Sequence, residues 1–351
     1  MNAYLSKLFK ILSAISILMV LYIHMYYTEG KSLPILQIIE GTMGQYCLVA
    51  VPLFYLISGY LFFLKMPEGI HSIPGKLRKR VRTLLIPYII ANILTFAFYV
   101  ALNMLIWEVP SLGNLVNFRV LDDALENGLW DTLCLVFINP PIAFQLWFIR
   151  DLMVAMICSP LLYAIIKWSV AAKWRIILLF AIILIALAIP SKVPLLSAFI
   201  WFTAGGVAAI GKYPIECSVP KSYIYILSVI YLFIPFVGQF YTLAPWIGHY
   251  IPLVGIPAIW GIYDIIAHTY ATYTNNRLTT AYFSYTFFVY LCHEPLLNIF
   301  KKLPLLISRS ETTFIASYIL TAIIFYIFAC CLGRLIKALS PKIYYVYTGG
   351  R

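Results

Sequence analysis

The chain has 351 residues, 63% of them hydrophobic and only 11% charged, with a net charge of +12. A water-soluble domain carries about a quarter charged residues and could not hide so much apolar surface, so the composition excludes a soluble globular protein and makes lipid the main solvent. The positive charge is spread through the turns between apolar stretches and forms no basic soluble face, which argues against a nucleic-acid partner.

Windows of about twenty apolar residues, enough to cross a bilayer as a helix, predict ten spans. They cover 8–27, 46–65, 84–107, 145–168, 174–190, 194–211, 222–238, 244–272, 282–301 and 312–339. Most Lys and Arg fall in alternate turns, and their cytoplasmic bias places both termini inside. The expected fold is an all-α, polytopic helix bundle, one domain over 1–351, multi-pass in the cell (inner) membrane. Lys7 and Lys10 precede the first apolar core as in a signal peptide, yet no small-residue cleavage site follows, so the segment reads as a retained anchor. The seven cysteines form no CxxC pair and lie mostly in apolar segments, which predicts packing residues. No cluster has metal-ligand spacing.

The first span contains ILMVLYIHMYY, residues 17–27, with a single imidazole, His24. Helical spacing sets Val20, Ser16 and Ser13 below it and Tyr27 above it, while Lys10 extends the stripe toward the cytoplasmic boundary. Such a group either satisfies one interhelical hydrogen bond or does chemistry. In the second span, VPLFYLISGYLFF carries Ser58, Gly59 and Tyr60; glycine lets a backbone or a ligand approach closely, and the tyrosine hydroxyl needs a partner. KLRKRVRTLLIPY, residues 76–88, follows with five basic side chains in seven positions. It suits a topology anchor on anionic lipid, or a grip on phosphate.

Residues 108–144 carry Glu108, Asp122, Asp123, Glu126 and Asp131 and read as a structured outer loop or lid. In QLWFIRDLM, Trp147, Arg150 and Asp151 share a face at the outer end of the fourth span, at a depth similar to that of His24. In FFVYLCHEPLLNIF, His293 and Glu294 fall near mid-membrane. Pro295 then removes a helix hydrogen bond, frees the Leu291 carbonyl and favours a kink, and Tyr290, Glu294 and Asn298 line one face.

Taken in order, His24, VPLFYLISGYLFF, the basic run into LLIPY, QLWFIRDL and FVYLCHEP resemble the acyltransferase family 3 membrane proteins over roughly 10–335. The resemblance implies transfer of an acyl group, often acetyl, from cytoplasmic acyl-CoA to a hydroxyl of a cell-envelope glycan or lipid-linked acceptor. Acyl-CoA would be a co-substrate, with no permanently bound cofactor. Its phosphates would meet Arg78, Lys79, Arg80, Arg82 and Lys10. His24 would act as general base or be acylated itself, Glu294 or Asp151 would orient it, and Ser58, Tyr60, Trp147, Arg150, Tyr290 and His293 would contact the acceptor. The arginine usual in the family eleven positions before that histidine is Ser13 in this chain. Two other classes fit the residues: a polar-solute carrier lined by the intramembrane charges, and a non-catalytic scaffold. A homo-oligomer is compatible with all three.

Overall fold

The computed structural model describes residues 3–28, 32–66, 68–108, 120–138, 141–188, 194–216, 220–238, 245–269 and 283–350. In hydrocarbon each peptide N–H and C=O must be paired within its own segment, which leaves long apolar runs the helix as their solution. The described residues form fifteen α-helices and no strand, as the sequence leads one to expect.

The helices are α1 (Ala3–Ile23), α2 (Pro34–Cys47), α3 (Ala50–Phe63), α4 (Ile73–Arg80), α5 (Ile86–Glu108), α6 (Val120–Phe137), α7 (Trp147–Ile157) and α8 (Ser159–Val170). They continue as α9 (Lys173–Ala188), α10 (Pro194–Ile210), α11 (Lys221–Val237), α12 (Ile251–Thr269), α13 (Thr286–Lys302), α14 (Glu311–Leu339) and α15 (Pro341–Thr348). One π-helical turn, Val81–Leu85, joins α4 to α5.

Ten uninterrupted spans are not what forms. Among the described residues, five helical stretches are long and apolar enough to cross a membrane, or six if one bent pair counts as a span. That pair corrects the fourth expected span: α7 and α8 meet at a 67° bend. Pro160, in the first turn of α8, cannot donate the hydrogen bond that would continue α7. The second span begins earlier than expected, at Pro34, and is interrupted between α2 and α3. The ninth is broken at Glu294.

Small residues set the tightest contact in the bundle. A Cβ on Gly59 of α3 would fall on the Phe202 carbonyl of α10, and one on Gly205 of α10 would fall on the Leu56 carbonyl of α3. These helices therefore cross backbone to backbone, which only glycine allows. The six described cysteines are free thiols, as the lack of pairing motifs suggests, and Cys217 lies outside the described residues. Of the outer loop, residues 109–119 and the side chains of Asp122, Asp123 and Glu126 also lie outside them.

Candidate active site

α1 stops at Ile23, so His24 is the first residue beyond the helix; its N–H still reaches the carbonyls of Val20 at 3.3 Å and Leu21 at 3.1 Å. The chain then turns away, which corrects the expected stripe: Tyr27 does not stand above His24 on one helix. Instead the buried Glu40 carboxylate of α2 holds the turn, accepting the Tyr27 N–H at 2.9 Å, the Thr28 N–H at 3.3 Å and the Thr28 hydroxyl at 2.5 Å. Ser16 is fully buried and Ser13 half-buried on α1.

The kink at Pro295 is present. Glu294 has φ −105° and ψ 134°, outside the helical range, and the Glu294–Pro295 bond is cis. With the helix broken there, the Tyr290 carbonyl lies 2.8 Å from Nδ1 of His293. The Glu294 carboxylate accepts from Asn298 Nδ2 at 2.5 Å, and its main-chain carbonyl accepts from Gln145 Nε2 at 3.3 Å. The Tyr290 hydroxyl donates to the Gln145 carbonyl at 2.6 Å.

These contacts bring α1, α13 and the turn before α7 together around His24. The half-buried imidazole of His24 sits edge-on to Phe144 at 5.0 Å between ring centroids and beside His293 at 5.3 Å. His293 itself is fully buried.

Arg150 and Asp151 are placed elsewhere. The guanidinium Nε and Nη2 each lie 3.0 Å from Asp151 Oδ1, and Nη1 donates to the Ile138 carbonyl at 2.7 Å. Both groups are within electrostatic reach of Tyr88, whose hydroxyl donates to the Phe137 carbonyl at 2.6 Å. Tyr88 belongs to the first turn of α5, and the pair is also within electrostatic reach of Tyr55 and Tyr290, so it lies between that turn and the Tyr290 side of the His24 neighbourhood. The reason is the path of α6, which packs back along α5 and brings the chain to a turn inside the bundle. The Ala143 N–H is held there by Asn92 Oδ1 at 3.2 Å, and α7 starts from that interior turn. Asp151 is thus paired with Arg150, and the rings against His24 are those of Phe144 and His293. Trp147 is half-buried at the start of α7.

Arg78, Lys79 and Arg82 are exposed, Arg80 is half-buried, and the Arg82 guanidinium lies 4.9 Å above the Tyr345 ring of α15. Lys10 is exposed and fourteen residues before His24, roughly 21 Å along the helix axis, too far to share its pocket. Ser58 is half-buried on α3. Tyr60 packs edge-on to Phe9 and lines a separate cavity of about 200 Å³ with Trp260, Tyr213 and Asp264. Of the sequence candidates, the structure therefore gathers His24, Tyr290, His293 and Glu294, sets the Arg150–Asp151 pair within reach of Tyr290, and leaves the basic run, Lys10 and Tyr60 in distinct places.

Sequence reasoning missed Phe144, Gln145, Glu40, Lys301 and Asn92 as parts of this neighbourhood. A signal existed for some of them: Asn92 and Glu40 are polar residues within apolar runs, and the prolines of INPPIAF just before Gln145 forbid a continuous helix.

No curated protein and no solved structure matches the chain. The profile of an acyltransferase domain family does, over residues 8–334, from the second turn of α1 to within a few residues of the end of α14. A match over nearly the whole bundle makes this chain a member of the acyltransferase family 3 membrane proteins.

Proposed function

We propose that the protein transfers an acyl group, in the first instance acetyl, from acyl-CoA at the basic end of the bundle to a hydroxyl of a cell-envelope glycan or related acceptor at the His24 end. The reading places the protein in the inner membrane with the basic end cytoplasmic. One observation carries it: in an acyltransferase-family chain, a half-buried imidazole stands at a helix end against a second imidazole and a broken helix.

Arg78, Lys79, Arg80 and Arg82 suit the donor's phosphates, since guanidinium groups bind phosphate oxygens two at a time. From Arg82, the polar side chains Tyr88 and Asn92 follow along α5, and Asn92 is roughly 15 Å further along the axis. Asn92 meets the interior turn that carries Phe144 and Gln145 to His24 and Glu294.

Neutral His24 takes the proton of the acceptor hydroxyl as its oxygen attacks the thioester carbonyl. The carbon–sulfur bond then breaks, the thiolate leaves with CoA, and the proton on His24 passes to it. An acylated His24 that delivers the group in two steps is the competing route, and it leaves label on the protein.

The test is transfer of label from radiolabelled acetyl-CoA to the envelope glycans of the host in membranes containing the protein. His24→Ala is the control. Transfer that depends on His24 supports the reading, and transfer indifferent to it overturns the mechanism.

A further inference from the structure

His293 has one nitrogen that its own helix does not use. Its Nδ1 lies 2.8 Å from the Tyr290 carbonyl, and a carbonyl only accepts, so Nδ1 carries the ring proton and Nε2 is a bare lone pair. The ring is fully buried, and among the described residues no protein donor reaches Nε2. Buried polar atoms are normally paired, so this nitrogen requires a reason.

Two polar rings flank it, Tyr290 and His24. The tyrosine hydroxyl is engaged with the Gln145 carbonyl, which leaves the imidazole of His24 as the ring with an N–H to give. Two imidazoles sharing one N–H···N bond hold their centroids roughly 5 Å apart. These two stand at 5.3 Å with their planes tilted by 37°, near enough for such a bond although the rings are not turned to form it here.

We infer that His293 is a positioning residue for His24: a small rotation of the two rings on substrate binding lets its Nε2 accept the His24 ring N–H, which fixes the tautomer that leaves the other His24 nitrogen free for the acceptor hydroxyl. The inference rests on the base assigned to His24 above. Exposure decides which of the two meets substrate, because His24 is half-buried and His293 is closed off entirely. His293 then does what the carboxylate does in a serine-protease triad, holding the base in one orientation without taking its proton. When His24 becomes an imidazolium, the shared bond becomes charge-assisted, and it relaxes when the proton leaves with the thiolate. No bond to His293 forms or breaks. The charged groups around the pair are Lys301, on the His24 carbonyl, and Glu294, held by Asn298.

Two measurements test this. In protein with ring-15N histidine and His71, His249 and His268 replaced by Gln, NMR should find His293 protonated on Nδ1 and coupled through an N–H···N bond to His24. A His293 protonated on Nε2, or no coupling with or without acetyl-CoA, overturns the inference. In the labelled-acetyl assay, His293→Gln, whose amide oxygen reaches the place of Nε2, should keep kcat within about tenfold of the parent protein. His293→Leu should lose roughly a hundredfold in kcat with KM for acetyl-CoA unchanged. Equal losses in the two variants mean packing alone and overturn the inference. Full activity in His293→Leu beside an inactive His24→Ala overturns it while sparing the base, whereas an active His24→Ala removes the base itself.

Discussion

The Lys301 ammonium donates to the His24 main-chain carbonyl at 3.1 Å, while the Tyr27 hydroxyl donates to the Lys301 carbonyl at 3.2 Å. The same ammonium lies 5.7 Å above the Tyr27 ring. The last turn of α13 is thereby locked to the end of α1, and the His24 ring is held against α13 by main-chain as well as side-chain contacts.

Replacing Lys301 by Met keeps the packing stem and removes the charged donor. A hydrogen bond from a charged group contributes about 1.5–3 kcal/mol, so kcat should fall roughly tenfold or more as His24 loosens. The chain should still elute from size exclusion as the parent does. Unchanged kcat would show that the lock has no bearing on catalysis.

Glu40 ties together three donors from the turn after His24. Glu40→Leu strands two backbone N–H groups and a hydroxyl in a buried place, at a cost of about 1–3 kcal/mol for each group left unpaired. The variant should melt at a lower temperature in detergent and transfer less acyl group. Glu40→Gln, which can still accept two of the three, should fall between.

Removing Arg150 alone leaves the carboxylate of Asp151 buried beside Tyr55 and Tyr88 with no counter-charge. Breaking a fully buried pair from one side costs about 3–5 kcal/mol, and less here because the Arg150 side chain is 30% exposed, whereas replacing both members by apolar groups can be nearly neutral. Arg150→Leu should therefore be less stable than Arg150→Leu/Asp151→Leu, measured by thermal unfolding in detergent. The reverse order would sink the view that the pair is chiefly a self-compensating structural unit.

If the basic run holds the donor as proposed, changing Arg78, Arg80 and Arg82 together to Gln should raise KM for acetyl-CoA at least about tenfold and leave kcat nearly unchanged, because the contact is far from the reacting carbon. If donor KM stays put and protease protection shows an inverted chain, the basic run is a topology signal only.

Much of the bundle was legible because lipid permits few backbone solutions: the apolar runs of α1, α5 and α14 could only be helices. His24 and the His293-Glu294-Pro295 kink were visible as polar and helix-breaking residues in such runs. The neighbours of Arg150 were not, since they follow from a turn inside the bundle that a hydropathy window averages away. Nor was the end of α1 at Ile23, as the chain continues apolar through Tyr27 and the stop is imposed by Glu40 from a different helix. The ring contact of His24 with His293, which are 269 positions apart, is a tertiary fact that no local pattern encodes.

The glycine crossing of α3 and α10 has a mechanical consequence. Two backbones in contact cannot slide past each other without collision, so this pair serves as a keel. The irregular backbone of the catalytic neighbourhood lies on other elements: the π turn after α4, the interior turn before α7 and the break in α13. Under the proposed reaction, strain applied by a donor at one end and an acceptor at the other would be taken up at those joints, while the keel holds still.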